Sequence, residues 1–136
     1  MINNDVIIYT DGSSRGNPGP GGYGIVMEDC KTGFTKQYSQ GFRKTTNNRM
    51  ELLAVIEALK KLTKKELKIT VFTDSKYVVD SVEKKWVFKW KKNGFKNKKN
   101  VDLWLEFLKV QELNNISFKW IKVHNNHPQN EICDKL

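Results

Sequence analysis

Ile116-Ser-Phe-Lys-Trp-Ile-Lys-Val123-His124-Asn-Asn-His127-Pro-Gln-Asn-Glu-Ile-Cys-Asp134 is the stretch on which the other parts of the chain converge. Its first half reads as a strand, followed by a loop carrying His124 and His127 and then the first turns of a helix carrying Asp134. Three more carboxylates stand in comparable settings upstream. Asp11 closes the β-branched run Val6-Ile-Ile-Tyr-Thr10, Asp74 closes Ile69-Thr-Val-Phe-Thr73, and Glu51 lies in the opening turn of an apolar helix. Four carboxylates at strand ends and helix starts, beside a histidine-bearing loop, point to one metal site assembled from distant parts of the chain.

The 136 residues suit a single domain, 1–136, with one core. An apolar fraction of 38% fits a soluble globular chain, and no apolar run approaches the roughly 20 residues of a membrane span. The start Met1-Ile-Asn-Asn-Asp5 lacks the basic and apolar segments of a signal peptide. Two cysteines, Cys30 and Cys133, suggest no disulfide framework, so the expected setting is reducing and cytoplasmic. Of the formal charge of +9, eight units come from lysines between Lys84 and Val101, a segment with no Asp or Glu. A basic patch gathered in one segment favours a polyanionic partner, although a solvated charge run is the plain alternative.

Read in order, residues 6–11 form a strand, followed by a turn-rich loop from Gly12 to Gly22. Tyr23–Met27 and Phe34–Phe42 complete an antiparallel meander of three strands. Thr45-Thr-Asn-Asn48 offers several N-cap candidates for the next helix, Asn48 and Glu51 standing in capping-box spacing, and the helix carries the apolar stripe Leu52, Val55, Ile56, Leu59 and Leu62. Taken locally, Glu51 reads as a solvated glutamate matched to the helix dipole. A fourth strand from Lys68 to Thr73 precedes a short helix, Lys76–Glu83, for which Asp74 is a candidate N-cap. The helix between strands three and four permits parallel pairing of strands one and four, which sets Asp11 beside Asp74. Trp104 and Trp120 read as core residues. Trp86, Phe88, Trp90 and Phe95, interleaved with lysines, suit contact with a nucleic-acid backbone.

Six motifs in order carry a resemblance: Tyr-Thr-Asp-Gly-Ser (9–13), Gly-Asn-Pro-Gly-Pro-Gly-Gly-Tyr-Gly (16–24), Thr-Thr-Asn-Asn-Arg-Met-Glu-Leu (45–52), Thr-Asp-Ser (73–75), Asn-Val-Asp-Leu-Trp (100–104) and His-Pro-x-Asn-Glu-x-Cys-Asp (127–134). Over nearly its whole length the chain resembles ribonuclease H of type 1, the bacterial-like class. The resemblance implies an α/β fold: a five-stranded mixed sheet, antiparallel in its first three strands and then parallel, flanked by helices and bearing a basic protrusion. It implies an endonuclease that hydrolyses the RNA strand of RNA–DNA hybrids with two Mg²⁺ ions, Mn²⁺ serving as substitute, leaving 5′-phosphate and 3′-hydroxyl ends.

Position by position, Asp11, Glu51, Asp74 and Asp134 match the family's acidic tetrad and His124 its loop histidine. Asn17, Thr46, Asn47 and Asn48 match residues that reach the minor groove of the hybrid. Trp86, Trp90, Lys91, Lys92, Lys96 and Lys98 match the protrusion that grips the DNA strand. Lys76 stands where relatives often carry a glutamine that touches the groove. The resemblance further implies a monomer with no membrane partner, and a truncated final helix, since the chain stops two residues after Asp134. Two other readings stand beside it: a hybrid-binding module of weak catalytic power, and the nuclease domain of a reverse transcriptase. Hard carboxylate ligands independently favour Mg²⁺ or Mn²⁺ over zinc.

Overall fold

Backbone pairing in the computed structural model, which describes residues 4–121, builds the expected mixed sheet. Strands β1 (Val6–Ser14), β2 (Gly19–Asp29) and β3 (Thr35–Thr45) form the antiparallel meander. Helix α1 (Asn47–Lys60) then crosses over to β4 (Lys68–Thr73), which lies parallel to β1. Helices α2 (Lys76–Glu83), α3 (Trp86–Lys92) and α4 (Val101–Gln111) lead to β5 (Asn115–Trp120), parallel to β4. The sheet order is β3-β2-β1-β4-β5. The positions of His124, His127 and Asp134 lie outside the described residues. Among the described residues no helix is long and apolar enough to cross a membrane.

The core follows from the two periodicities. On β1 and β4, Ile8 and Val71 are paired in register and fully buried. They share one apolar cluster with the α1 stripe of Leu52, Val55, Ile56 and Leu59. Trp104 and Phe107 of α4 complete it, their rings meeting edge to face at 5.6 Å. Trp104 also donates its indole N–H to the Tyr77 hydroxyl of α2 at 2.7 Å, so a buried polar edge is satisfied without water. At the opening of α4, Asp102 receives both prongs of the Arg49 guanidinium, at 3.0 and 2.8 Å, which ties α4 to α1.

Several local expectations are corrected. The glycine-rich stretch is mostly strand, with β1 and β2 pairing as far as Ser14 and Gly21 and only residues 15–18 left to turn. A ladder needs only backbone N–H and C=O groups, so poverty in side chains does not end it. Of the cap candidates from Thr45 to Asn48 it is Thr46 that caps α1, its hydroxyl accepting the Arg49 N–H at 3.2 Å, so the Asn48–Glu51 capping box does not form. Ser75 caps α2 in the same way through the Val78 N–H at 3.2 Å, which leaves the Asp74 carboxylate free for another task. Trp120 is not a core residue: it ends a strand at the edge of the sheet and is 40% exposed. Phe95 moves the other way, to 7% exposure, because left-handed backbone at Gly94, Phe95 and Asn97 turns it back under Trp90.

Gly22 and Gly41 face each other across β2 and β3 but stand in unequal space. A Cβ on Gly22 would lie 2.7 Å from the Gln40 carbonyl oxygen, whereas one on Gly41 meets nothing nearer than the Gly21 oxygen at 3.8 Å. Gly22→Ala is therefore expected to cost about 1–3 kcal/mol by overpacking. Gly41→Ala is expected to gain about 0.5–1 kcal/mol by relieving strand entropy. Urea unfolding midpoints at unchanged slope measure both, and equal shifts in the two variants contradict the packing difference.

Candidate active site

Parallel pairing of β1 with β4 aligns Thr10 with Thr73, so the residues that follow, Asp11 within β1 and Asp74 just past β4, stand at the same end of that ladder. The opening turns of α1 pass over that end and bring Glu51 down between them. Asp11, Glu51 and Asp74 each offer a carboxylate oxygen, and these atoms lie within 4.8 Å of one another. Asp11 and Asp74 are half-buried, while Glu51 is only 5% exposed. The solvated first-turn glutamate expected from local sequence is thus a buried one.

Two donors hold it. One Glu51 oxygen accepts the Gly12 backbone N–H. The other accepts the Thr73 hydroxyl proton at 3.2 Å. The approach of β1 to α1 that makes the first bond possible leaves no room for a side chain: a Cβ on Gly12 would lie 2.6 Å from the Met50 carbonyl carbon. Asp74 is fixed through its backbone, whose carbonyl accepts the Trp120 indole N–H at 3.1 Å. The Lys76 ammonium sits over the same indole ring at 4.7 Å.

Burial pushes the Glu51 carboxyl well above the usual range, and the neighbouring Asp74, by its charge and by a shared hydrogen bond, pushes it further. The Gly12 and Thr73 donors pull the other way without cancelling that rise. Such a cluster fits a hard divalent cation: it offers only carboxylate oxygens, and no cationic side chain among the described residues forms an ion pair with it.

The residues expected to meet nucleic acid fall into two groups. Asn17, Asn47 and Asn48 are exposed, and Thr46 is half-buried. The Asn47 amide oxygen already accepts from the Ser14 N–H at 2.5 Å and from the Ser14 hydroxyl at 3.2 Å, which pins the start of α1 to the end of β1. Lys76 is exposed beside Asp74. The second group lies on α3 and the loop after it, where Lys91, Lys92, Lys96 and Lys98 are exposed. Trp86 is 40% exposed, with the Lys84 ammonium 5.2 Å from its ring. Trp90 is half-buried, packed against Trp104 at 6.0 Å and capped by Lys98 at 4.8 Å. Trp90 therefore anchors the basic segment to the core while Trp86 stays open. Sequence reasoning missed Gly12, Thr73 and the Trp120 bond to Asp74, since none carries a charge that marks it.

A mixed sheet of order β3-β2-β1-β4-β5, with carboxylates from β1, α1 and the end of β4 in one cluster, defines an α/β protein of the ribonuclease H-like fold. The RNase H family model matches residues 3–136, and the chain belongs to that family, in its bacterial-type branch. It is 51% identical over 137 residues to the ribonuclease H of Desulforamulus reducens, a match covering 97% of this chain and 84% of that one. Among solved structures it is similar to LC9-RNase H1, a type 1 RNase H with the type 2 active-site motif. That match has 30% identity and a TM-score of 0.83, and covers 99% of this chain and 71% of the other. It is also similar to LC11-RNase H1, solved in complex with an RNA/DNA hybrid, at 30% identity and a TM-score of 0.67, covering 96% of this chain and 94% of the other.

The Glu51 environment adds a downward slope to the pH dependence of stability in the metal-free protein. An acid whose folded pKa is raised binds more protons folded than unfolded, so stability falls as pH rises from the ordinary glutamate value (~4.3) through the raised one. Glu51→Gln is expected to remove that downward slope and to stabilise the metal-free chain at neutral pH. Thermal unfolding in chelator across this range tests it; a variant whose pH profile parallels the wild type contradicts the buried-charge account.

Proposed function

We propose that this chain is an endonuclease that hydrolyses the RNA strand of RNA–DNA hybrids, leaving 5′-phosphate and 3′-hydroxyl ends. The observation that carries the reading is the Asp11–Glu51–Asp74 cluster, formed where β4 ends beside β1, in a chain of this family. Asp11, Glu51 and Asp74, joined by Asp134, would hold two divalent ions, Mg²⁺ or in its place Mn²⁺. When bound, the ions supply Lewis-acid polarisation of the phosphate and a nucleophilic water at neutral pH.

The chain's own groups do the rest. Glu51, fixed by Gly12 and Thr73, presents its carboxylate in one orientation, so no reorganisation is needed when the substrate arrives. His124 takes part through its imidazole, able to accept or pass a proton near neutral pH. Asn17, Thr46, Asn47, Asn48 and Lys76 lie along the minor groove, where the 2′-hydroxyl distinguishes RNA from DNA. Lys91, Lys92, Lys96 and Lys98 receive the phosphates of the DNA strand with the open Trp86 ring against its sugars, while Trp90 holds this segment to the core. Contacts of this kind read backbone and shape, so cleavage is independent of base sequence. Residues 1–136 act as one domain, as a monomer in the cytoplasm.

A labelled hybrid tests the assignment, with duplex DNA and duplex RNA as controls. Cleavage is expected of the hybrid alone and only with divalent metal present. Asp11→Asn and Asp74→Asn are each expected to abolish cleavage while hybrid binding persists; near-wild-type turnover in either would sink the metal-site assignment. Replacing Lys91, Lys92, Lys96 and Lys98 by Ala is expected to raise KM. It should also flatten the salt dependence by about 0.7–0.9 of a log–log unit for each phosphate that is no longer neutralised. An unchanged salt slope would place the hybrid elsewhere on the surface.

A further inference from the structure

Thr10 and Thr73 sit side by side in the parallel ladder of β1 and β4, both fully buried. Their hydroxyls have different surroundings. Thr73 Oγ1 accepts the Ser75 N–H at 3.1 Å and stands 3.2 Å from Glu51 Oε2. A hydroxyl has one proton to give. With a lone pair already engaged by Ser75, that proton is directed at Glu51, an acceptor in its ionised form. Thr10 Oγ1, by contrast, has no hydrogen-bond partner among the described residues.

The two bonds on Glu51 divide the work. The Gly12 N–H belongs to the backbone and cannot be altered by substitution without unseating β1 from α1. Of these two donors, only Thr73 is a replaceable side chain. It comes from the last residue of β4, next to Asp74, so it locks the carboxylate of one element against the strand end that presents another. The Ser75 hydroxyl in turn caps α2, which fixes the backbone that orients Thr73.

We infer that Thr73 is a positioning residue of the metal site, its buried hydroxyl holding the Glu51 carboxylate in the orientation that binds the cation. This rests on the metal-dependent reading above and adds to it a residue that touches neither cation nor substrate. Groups that orient metal-binding carboxylates in this way typically contribute about 10- to 100-fold in metal affinity or activity. Thr10 supplies an internal comparison: the same residue type, equally buried, one strand away, with no hydrogen bond to Glu51.

The test uses the full chain and three variants, with Mn²⁺ titrated alone by calorimetry and hybrid affinity measured in chelator. Thr73→Val keeps the shape and removes the hydroxyl; about 10- to 100-fold weaker Mn²⁺ binding is expected, with metal-free hybrid affinity unchanged and kcat lowered more than KM is raised. Thr73→Ser keeps the hydroxyl and loses a methyl; it is expected to lose stability yet restore Mn²⁺ affinity to within a few-fold of wild type. Thr10→Val removes the unpartnered hydroxyl and is expected to leave Mn²⁺ affinity unaltered. Equal Mn²⁺ affinity in Thr73→Val and wild type overturns the inference while leaving the nuclease reading intact. Equal losses in Thr73→Val and Thr73→Ser overturn it too, since packing and not the hydroxyl would then be responsible. Failure of the wild-type chain itself to bind Mn²⁺ or cleave the hybrid overturns both.

Discussion

A carboxylate buried against another carboxylate is the constraint around which this molecule is arranged. Glu51 is almost wholly removed from water, and Asp74 shares its site. Charge repulsion in such a place is expensive. The fold meets it with two hydrogen-bond donors, and a divalent cation, which this cluster could coordinate, would offset the remainder. The donors dictate much else. Gly12 must be glycine so that β1 can approach α1, and Thr73 must end β4 beside Asp74. Ser75 must cap α2, which spares Asp74 that role.

A second set of contacts keeps this seam rigid from behind. Arg49, two residues before Glu51, is forked onto Asp102 at the opening of α4 and also reaches the Asn100 amide oxygen at 3.2 Å. Asn100 and Trp104 both donate to the Tyr77 hydroxyl of α2. The starts of α1, α2 and α4 are thereby joined through side chains, next to the residues proposed to meet the hybrid. The basic segment is attached to the same frame by Trp90 and Phe95, whose rings lie inward while the lysines face out. The proposed binding surface and the carboxylate cluster are carried on one frame.

The fold was legible in the sequence wherever periodicity was strong. The stripe from Leu52 to Leu59 and the β-branched runs ending at Asp11 and Asp74 placed α1, β1 and β4, and with them the pairing of the two aspartates. Local signals failed where a distant partner decides the outcome. Glu51 has the sequence surroundings of a solvated first-turn residue, and only the descent of α1 onto two strand ends buries it. The glycine stretch read as loop because side chains were consulted where backbone pairing rules. Trp120 looked like core because apolar size says nothing about sheet order, and β5 proves to be at the edge. Phe95 looked like a surface aromatic because the left-handed turns that fold it inward leave no hydrophobic pattern. Thr73 and Gly12 were invisible for a simpler reason: an uncharged donor shows its value only beside its acceptor.

The bonds that hold Glu51 also bear on when during folding the site comes into being. They span 39 residues to Gly12 and 22 to Thr73, so neither forms with any local turn of helix or hairpin. A chain emerging from its ribosome can close the β1–β2–β3 meander early, because those contacts are near in sequence. The charged pocket, however, cannot assemble before β4 has been made and has docked in parallel against β1. Until then the acids stay apart in water, where their repulsion is weak. Closing the long loops and bringing like charges together thus coincide, and a chain whose β4 has not docked against β1 holds no assembled cluster of these three acids.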